Sequence, residues 1–284
     1  MILTGAARVA GIIGWPVAQS LSPRLHGFWL NHYGIDGAYV PLAVPPERVR
    51  EALRALPALG FCGANITVPH KQAALAAADE SDETARRIGA VNTLVVAPGG
   101  RLIGRNSDGI GFLENLRAGA PDWDAGAGPA VVLGAGGAAR AVVVALLDAG
   151  APEIRLVNRT LARAKALAEA LGEPRVTVVN WGARAEALGG AGLLVNTTIL
   201  GMAGQPALKL DLAALPATAL VNDIVYTPLK TGLLAAALAR GNRVVDGLGM
   251  LLHQARPGFA AWFGVEPEIS EALREFMLGG ITAR

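Results

Sequence analysis

Residues 130–146 read AVVLGAGGAARAVVVAL, and the order of residue types there decides what fold the chain can adopt. Ala130–Leu133 is an apolar, β-branched run as long as a buried strand. The glycines Gly134, Gly136 and Gly137 follow, and an apolar segment of helical composition continues from them. Strand, glycine turn and helix in that order form a phosphate-binding βα turn. Gly134 permits the tight turn, and Gly136 lets the backbone approach a pyrophosphate. Ala139, at the third small position of G-x-G-x-x-[GA], lets helix and strand pack closely. The helix start aims free N–H groups and a positive dipole end at the anion. A tight βα turn that binds nothing could share this composition, so the decision rests with the other residues.

Length allows two domains, since 284 residues exceed one ordinary core. An apolar content of 52% with 17% charged residues implies well-buried cores and excludes a disordered chain. No apolar run reaches the ~18 residues of a membrane span, and the N-terminus lacks the basic-then-apolar pattern of a signal peptide. The single cysteine, Cys62, rules out an intramolecular disulfide and fits a reducing compartment. A net charge of +2 on scattered basic residues argues against nucleic acid. His26, His32, His70 and His253 do not fall at metal-ligand spacing, and no metal site is expected. The expectation is a soluble cytoplasmic protein with neither nucleic acid nor membrane as partner.

Strands and helices alternate along the whole chain. Arg8–Gly14 reads as a strand, Ser22-Pro23 as a helix start with serine as N-cap, and Ala38–Val44 as a second strand. A helix over Pro45–Leu59 follows, with Val49, Leu53 and Leu56 inward. Then come a strand Phe61–Val68, an alanine-rich helix after Lys71, and a helix Asp82–Ile88. Val91–Ala97 and Arg101–Ile103 make a hairpin around Pro98-Gly99-Gly100. Residues 118–129, rich in Gly, Pro and Asp, are the candidate boundary. Beyond the glycine turn, strands are expected at Ile154–Val157, Val176–Val179, Leu193–Thr197, Ala219–Asp223 and Arg243–Val245. Helices are expected at Ala162–Leu171, Leu233–Arg240, Gly247–Trp262 and Ser270–Leu278. The class is α/β with mainly parallel sheets.

In such a fold an acidic residue ending the second strand would bind the ribose 2′-hydroxyl of NAD. Here that strand ends Asn158-Arg159-Thr160, with no carboxylate. Arg159, with Arg163 one helical turn on, puts positive charge where a 2′-phosphate would sit, so NADP is expected over NAD.

Three clusters of the first half lie at strand ends, where open α/β sheets bind ligands. Ser20 and Ser22 follow the first strand. Asn65 and Thr67 share a face near the end of the third, with Lys71 just beyond. Asn92 and Thr93 open the hairpin, which Asn106 and Asp108 close. Together they suit a small polyhydroxylated anion, with Lys71 and Asp108 as an acid/base device. Each residue taken singly could equally be structural: Ser22 could cap its helix, Asp108 likewise, and Thr67 could be an ordinary strand residue. His70 competes for the acid/base role, but beside Lys71 it is expected to point elsewhere.

With these residues in view, the chain resembles the shikimate dehydrogenase family. The motifs are Ser20-Leu21-Ser22-Pro23, NITVPHK (65–71), GAVNTL (89–94), Asn106-Ser107-Asp108-Gly109, GAGGAAR (134–140), NRT with Arg163, and DGLGML with Gln254. The resemblance implies reversible NADPH-dependent reduction of 3-dehydroshikimate to shikimate in aromatic amino-acid biosynthesis, by a monomer or homodimer. It implies Lys71 and Asp108 as the catalytic pair, Lys71 either taking the proton or only positioning substrate. Ser20, Ser22 and Tyr226 would hold the substrate carboxylate, and Asn65, Thr67, Asn92 and Gln254 the ring hydroxyls. Gly134, Ala135, Gly136, Gly137 and Ala138 would take the pyrophosphate. Asn158, Arg159, Thr160 and Arg163 would hold the 2′-phosphate, with Ile224 and Gly247 lining the nicotinamide pocket. A Rossmann-like cofactor domain, 111–247, would be inserted into a substrate domain formed by 1–110 plus 248–284, with a hinged cleft between them. The chain departs from the family pattern at Ile199, where a small or polar residue is usual. A quinate/shikimate paralogue and a catalytically idle NADP(H) sensor of the same fold stand as alternatives.

Overall fold

Parallel strands need a crossover to bring the chain back, and helices supply it while covering the sheet. The computed structural model, which describes residues 2–282, shows that alternation throughout. The chain forms two compact units: residues up to Ser107 together with those from Gln254 on, and Asp108–His253.

The first unit runs β1 (Arg8–Gly14), α1 (Ser22–His32), β2 (Gly37–Ala43), α2 (Val49–Ala55), β3 (Phe61–Ile66), α3 (Lys71–Ala77), β4 (Glu80–Ser81), α4 (Glu83–Ile88), β5 (Thr93–Val96) and β6 (Leu102–Arg105). Its sheet has the order β2-β1-β3-β5-β6-β4. β1 is parallel to both neighbours, while the β5–β6 hairpin makes β5 antiparallel to β3 and β6. Leu53, Leu56, Ile66, Leu94 and Leu102 are among the core on one face.

Two local expectations are corrected. The 45–59 segment is a 3-10 turn, Pro46–Arg48, followed by the short α2. Pro57 has no N–H to bond the Leu53 carbonyl, so the helix cannot continue. The N-cap of α1 is Leu21, not Ser22, and the Leu21 side chain makes no capping bond.

The second unit holds α5 (Asp108–Gly119), β7 (Ala130–Leu133), α6 (Gly137–Asp148), β8 (Ile154–Asn158), α7 (Leu161–Leu171), β9 (Val176–Asn180), β10 (Leu193–Asn196), β11 (Leu220–Asp223), α8 (Gly232–Ala239) and β12 (Arg243–Val245). All six strands are parallel, in the order β12-β11-β10-β7-β8-β9. This is the doubly wound, Rossmann-like arrangement. The chain starts at the centre, winds outward to β9, then returns to β10 and winds the other way. The reversal leaves a crevice at the carboxyl ends of β7 and β10.

The Gly/Pro-rich stretch 118–129 lies inside this unit, and the break comes earlier, between Ser107 and Asp108. The reason is packing: Phe112 and Leu116 of α5 share one core with Val142 and Leu146 of α6. Gly109 brings the two helices close, since a Cβ there would lie 3.2 Å from the Ala141 carbonyl.

Two C-terminal helices follow, α9 (Leu248–Phe263) and α10 (Glu271–Thr282). From Gln254 onward they join the first unit. Trp262 donates its indole N–H to the Leu94 carbonyl at 2.9 Å. It fits because Gly63, at φ +152°, leaves the space a side chain would fill. No helix among the described residues is long and apolar enough to cross a membrane.

Candidate active site

The polar residues of the first unit are wired into one chain of hydrogen bonds. Tyr39 donates its hydroxyl to Asn65 Oδ1 at 2.6 Å. Asn65 Nδ2 donates to the Asn92 carbonyl and to Thr93 Oγ1, each at 3.2 Å. Thr93 donates to Asn92 Oδ1 at 2.9 Å, and Asn92 Nδ2 donates to Ser107 Oγ at 3.1 Å. Ser107 donates onward to the Gln254 carbonyl at 2.8 Å. Gln254 Oε1 in turn lies 3.4 Å from Asn92 Nδ2. Burying so many amides and hydroxyls is tolerable only because each finds a partner.

The local folds explain these positions. β1, β2 and β3 are neighbours, so Tyr39 on β2 and Asn65 on β3 reach each other across β1. The hairpin brings Asn92 and Ser107 together: Ser107 N–H donates to Asn92 Oδ1 at 3.0 Å. Ser20 joins through its oxygen, which accepts the Ser22 N–H at 3.2 Å.

The remaining candidates of this unit flank the cluster. Thr67 follows β3 and is anchored by its backbone N–H on the Ile13 carbonyl, 2.9 Å away. Lys71 is the first residue of α3 and half-buried. Its carbonyl accepts the Val91 N–H at 2.9 Å, one residue before Asn92. His70 is buried with Nε2 2.7 Å from the Val44 carbonyl, committed to structure as the sequence suggested. Asp108 and Tyr226 belong to the second unit. Asp108 is buried at the start of α5, and Tyr226 is half-buried beyond β11.

In the second unit, Gly134 closes the turn after β7 at φ +118°, and a Cβ there would collide with Thr197 Oγ1. Thr197 is itself pinned by its hydroxyl to the Leu133 carbonyl at 2.6 Å. Gly136 differs: among the described residues, nothing beyond its immediate chain neighbours lies within 4 Å of where its Cβ would be. Open space beside the uncapped first turn of α6, on Ala135, Gly137 and Ala138, is what an approaching phosphate needs. The α7 N-terminus is also uncapped, Thr160 making no side-chain cap. Asn158 Nδ2 donates to the Thr160 carbonyl at 2.8 Å and holds that turn. Arg159 and Arg163 are exposed, and neither has a carboxylate partner among the described residues. Two uncapped helix starts and two unpaired arginines suit a multiply phosphorylated ligand.

A third feature of this unit is the buried carboxyl of Asp223, which accepts from Asn196 Nδ2 at 2.9 Å, the Val225 N–H at 3.0 Å and Thr231 Oγ1 at 2.7 Å. Burial raises its pKa, an effect these hydrogen bonds oppose. The network fixes the segment after β11, where Ile224 touches Gly247 so closely that any Cβ on Gly247 would strike the Ile224 carbonyl.

Segment 12–94 matches the family model described as the shikimate dehydrogenase substrate binding domain, and segment 124–199 that described as shikimate / quinate 5-dehydrogenase. The NADP(+) shikimate dehydrogenase of Paramagnetospirillum magneticum is 65% identical over 276 residues, covering 97% of this chain and 100% of that one. The chain belongs to the shikimate dehydrogenase family. One solved structure similar to it is shikimate 5-dehydrogenase from Thermus thermophilus in complex with NADP(H) and shikimate. It is 42% identical with a TM-score of 0.83, over 95% of this chain and 99% of that one. Another is quinate dehydrogenase from Corynebacterium glutamicum in complex with NAD, 33% identical with a TM-score of 0.88, over 96% and 99%.

Sequence reading of this shikimate dehydrogenase family member missed two members of the polar chain. Ser107 sits inside the quoted Asn106–Gly109 run, where its neighbours drew the attention. Tyr39 had no motif to mark it, and only its place in a strand beside β1 could have raised it.

Proposed function

We propose that the chain catalyses the reversible NADPH-dependent reduction of 3-dehydroshikimate to shikimate. The observation carrying this reading is the 65% identity, over 97% of the chain, to a protein named for that activity with that cofactor. Lys71 and Asp108 of the pattern are both present. The first unit would bind the substrate and the second the cofactor.

NADP, when bound, would supply a hydride acceptor for the carbon that bears the 3-hydroxyl of shikimate. Lys71 Nζ would take the proton that the same hydroxyl releases, and the Asp108 carboxylate would serve to orient it. Ser20, Ser22 and Tyr226 hold the substrate carboxylate with their hydroxyls. Asn65, Thr67, Asn92 and Gln254 hold the ring hydroxyls, which need both donors and acceptors. On the cofactor side, Gly134, Ala135, Gly136, Gly137 and Ala138 receive the pyrophosphate. Asn158, Arg159, Thr160 and Arg163 receive the 2′-phosphate, and Ile224 and Gly247 flank the nicotinamide. The unpaired arginines and the lack of a carboxylate at the end of β8 support NADP rather than NAD. A single cysteine fits the reducing cytoplasm.

Purified protein with NADP and shikimate should reduce the cofactor, followed by absorbance. Lys71→Ala should lower kcat at least ~100-fold with little change in NADP affinity, as loss of a general acid/base does. No turnover by the wild type would overturn the reading in favour of a non-catalytic cofactor-binding protein. Quinate in the same assay tests the broader substrate range.

A further inference from the structure

The polar chain of the first unit has a direction. The Asn92 carbonyl can only accept, so the atom of Asn65 facing it at 3.2 Å must be Nδ2. That leaves Oδ1 facing Tyr39, and the tyrosine must donate. Burial pushes the Tyr39 hydroxyl well above the ordinary tyrosine range, an effect its contact with Ser22 opposes, so its proton stays in place. Tyr39 therefore spends its one proton on Asn65. From Tyr39 the side-chain donors lead through Asn65, Thr93, Asn92 and Ser107 to the Gln254 carbonyl, which has no proton to return.

Tyr39 is also rigidly placed. Its ring lies flat against the buried His26 ring, with centroids 3.9 Å apart and an interplanar angle of 5°. Trp29, Phe259 and Trp262 surround that imidazole. The phenol therefore cannot swing away from Asn65 without breaking an aromatic cluster.

We propose that Tyr39 is a positioning residue: by giving its proton to Asn65 Oδ1 it fixes the orientation of that amide, and so which of its atoms the substrate meets. This rests on the proposed function, in which Asn65 helps to hold shikimate.

The test is Tyr39→Phe, which deletes the hydroxyl and keeps the ring on His26. The variant should raise KM and Kd for shikimate about tenfold, the cost of leaving a buried amide oxygen unpaired. It should change kcat less than about threefold and leave the NADP Kd unaltered, a split that mere loss of stability would not produce. In an Asn65→Ala background the same substitution should add less than about twofold, since its partner is already gone. Shikimate constants unchanged by Tyr39→Phe, or effects that multiply independently, would overturn the proposal. If Tyr39→Phe does not fold, wild-type protein labelled with 13Cζ-tyrosine decides. The Tyr39 signal, assigned with Tyr33→Phe and Tyr226→Phe, should shift on saturation with shikimate and not with NADP alone; an unmoved signal overturns the idea. A wild type that does not oxidise shikimate sinks the functional reading and this inference together, whereas an active wild type with an unaffected variant sinks only the inference.

Discussion

The Asn196 side-chain amide donates to Asp223 Oδ1 at 2.9 Å, joining the last residues of β10 and β11. Asp223 is fully buried, so its carboxyl is held by hydrogen bonds without a cation, and burial raises its pKa above the ordinary 3.8. A group whose folded pKa is raised gives its full stabilisation below the unfolded value and loses it as pH rises through the folded one. The stability of wild type relative to Asp223→Asn should therefore fall as pH rises from 4 to 7 in denaturant titrations. Asp223→Ala, which removes the acceptor shared by Asn196, Thr231 and the Val225 N–H, should cost about 2–3 kcal/mol at neutral pH. A pH-independent difference between wild type and Asp223→Asn would contradict the raised value.

His26 has the opposite sign. Burial lowers its pKa from 6.5 to about 3, against a weaker upward pull from Asn65. The neutral ring is the folded form, so its contribution is complete above the unfolded value and is lost as pH falls from 6.5 toward 3. Between those limits the loss approaches about 1.4 kcal/mol per pH unit. In melts at pH 7, 5.5 and 4.5 the stability of wild type relative to His26→Phe should fall as the pH drops, because phenylalanine has no proton to gain.

The two glycines of the βα turn should separate cleanly. Gly134→Ala forces a left-handed backbone and a collision with Thr197 Oγ1, and should destabilise by about 2 kcal/mol or more. Gly136→Ala meets nothing within 4 Å among the described residues beyond its chain neighbours and should leave stability within about 0.5 kcal/mol of wild type. NADP affinity should nevertheless drop at least about tenfold, because the methyl enters space needed by the pyrophosphate. Normal NADP affinity in Gly136→Ala would move the phosphates away from this turn.

Arg159→Ala removes an exposed side chain without a carboxylate partner among the described residues, so thermal stability should not change. Loss of a charge-assisted contact to the 2′-phosphate should raise the NADP Kd about 10–100-fold. The NAD Kd should move less than about threefold. Parallel titrations with the two cofactors check this, and equal losses for both would rule out 2′-phosphate recognition by Arg159.

The second unit was the more legible of the two. Parallel strands buried on both faces are written as continuous apolar runs such as Ala130–Leu133, and glycines mark the turn that follows. Composition pointed to a break at 118–129 rather than at Ser107, because α5 carries an apolar face like any other helix and nothing in its composition says which core receives it. Asn65, Asn92 and Gln254 could be picked out as polar residues near strand ends and in the family motifs. Their wiring could not, since it joins positions from Tyr39 to Gln254 through the meeting of β1, β2, β3 and the hairpin. A buried tyrosine in a strand looks the same whether it fills space or orients an amide.

The first unit is built from both ends of the chain, and its hydrogen-bonded series terminates on the Gln254 carbonyl. During synthesis, residues 108–253 emerge from the ribosome before that terminal acceptor exists. The inserted unit, continuous in sequence, can fold while the first still lacks α10 and most of α9. Until Gln254 and Trp262 arrive, Ser107 lacks its bond to the Gln254 carbonyl and Gly63 faces an empty slot. Maturation of the substrate side is thus timed by translation of the final segment, and nascent chains stalled before residue 254 should hold NADP before they can hold shikimate.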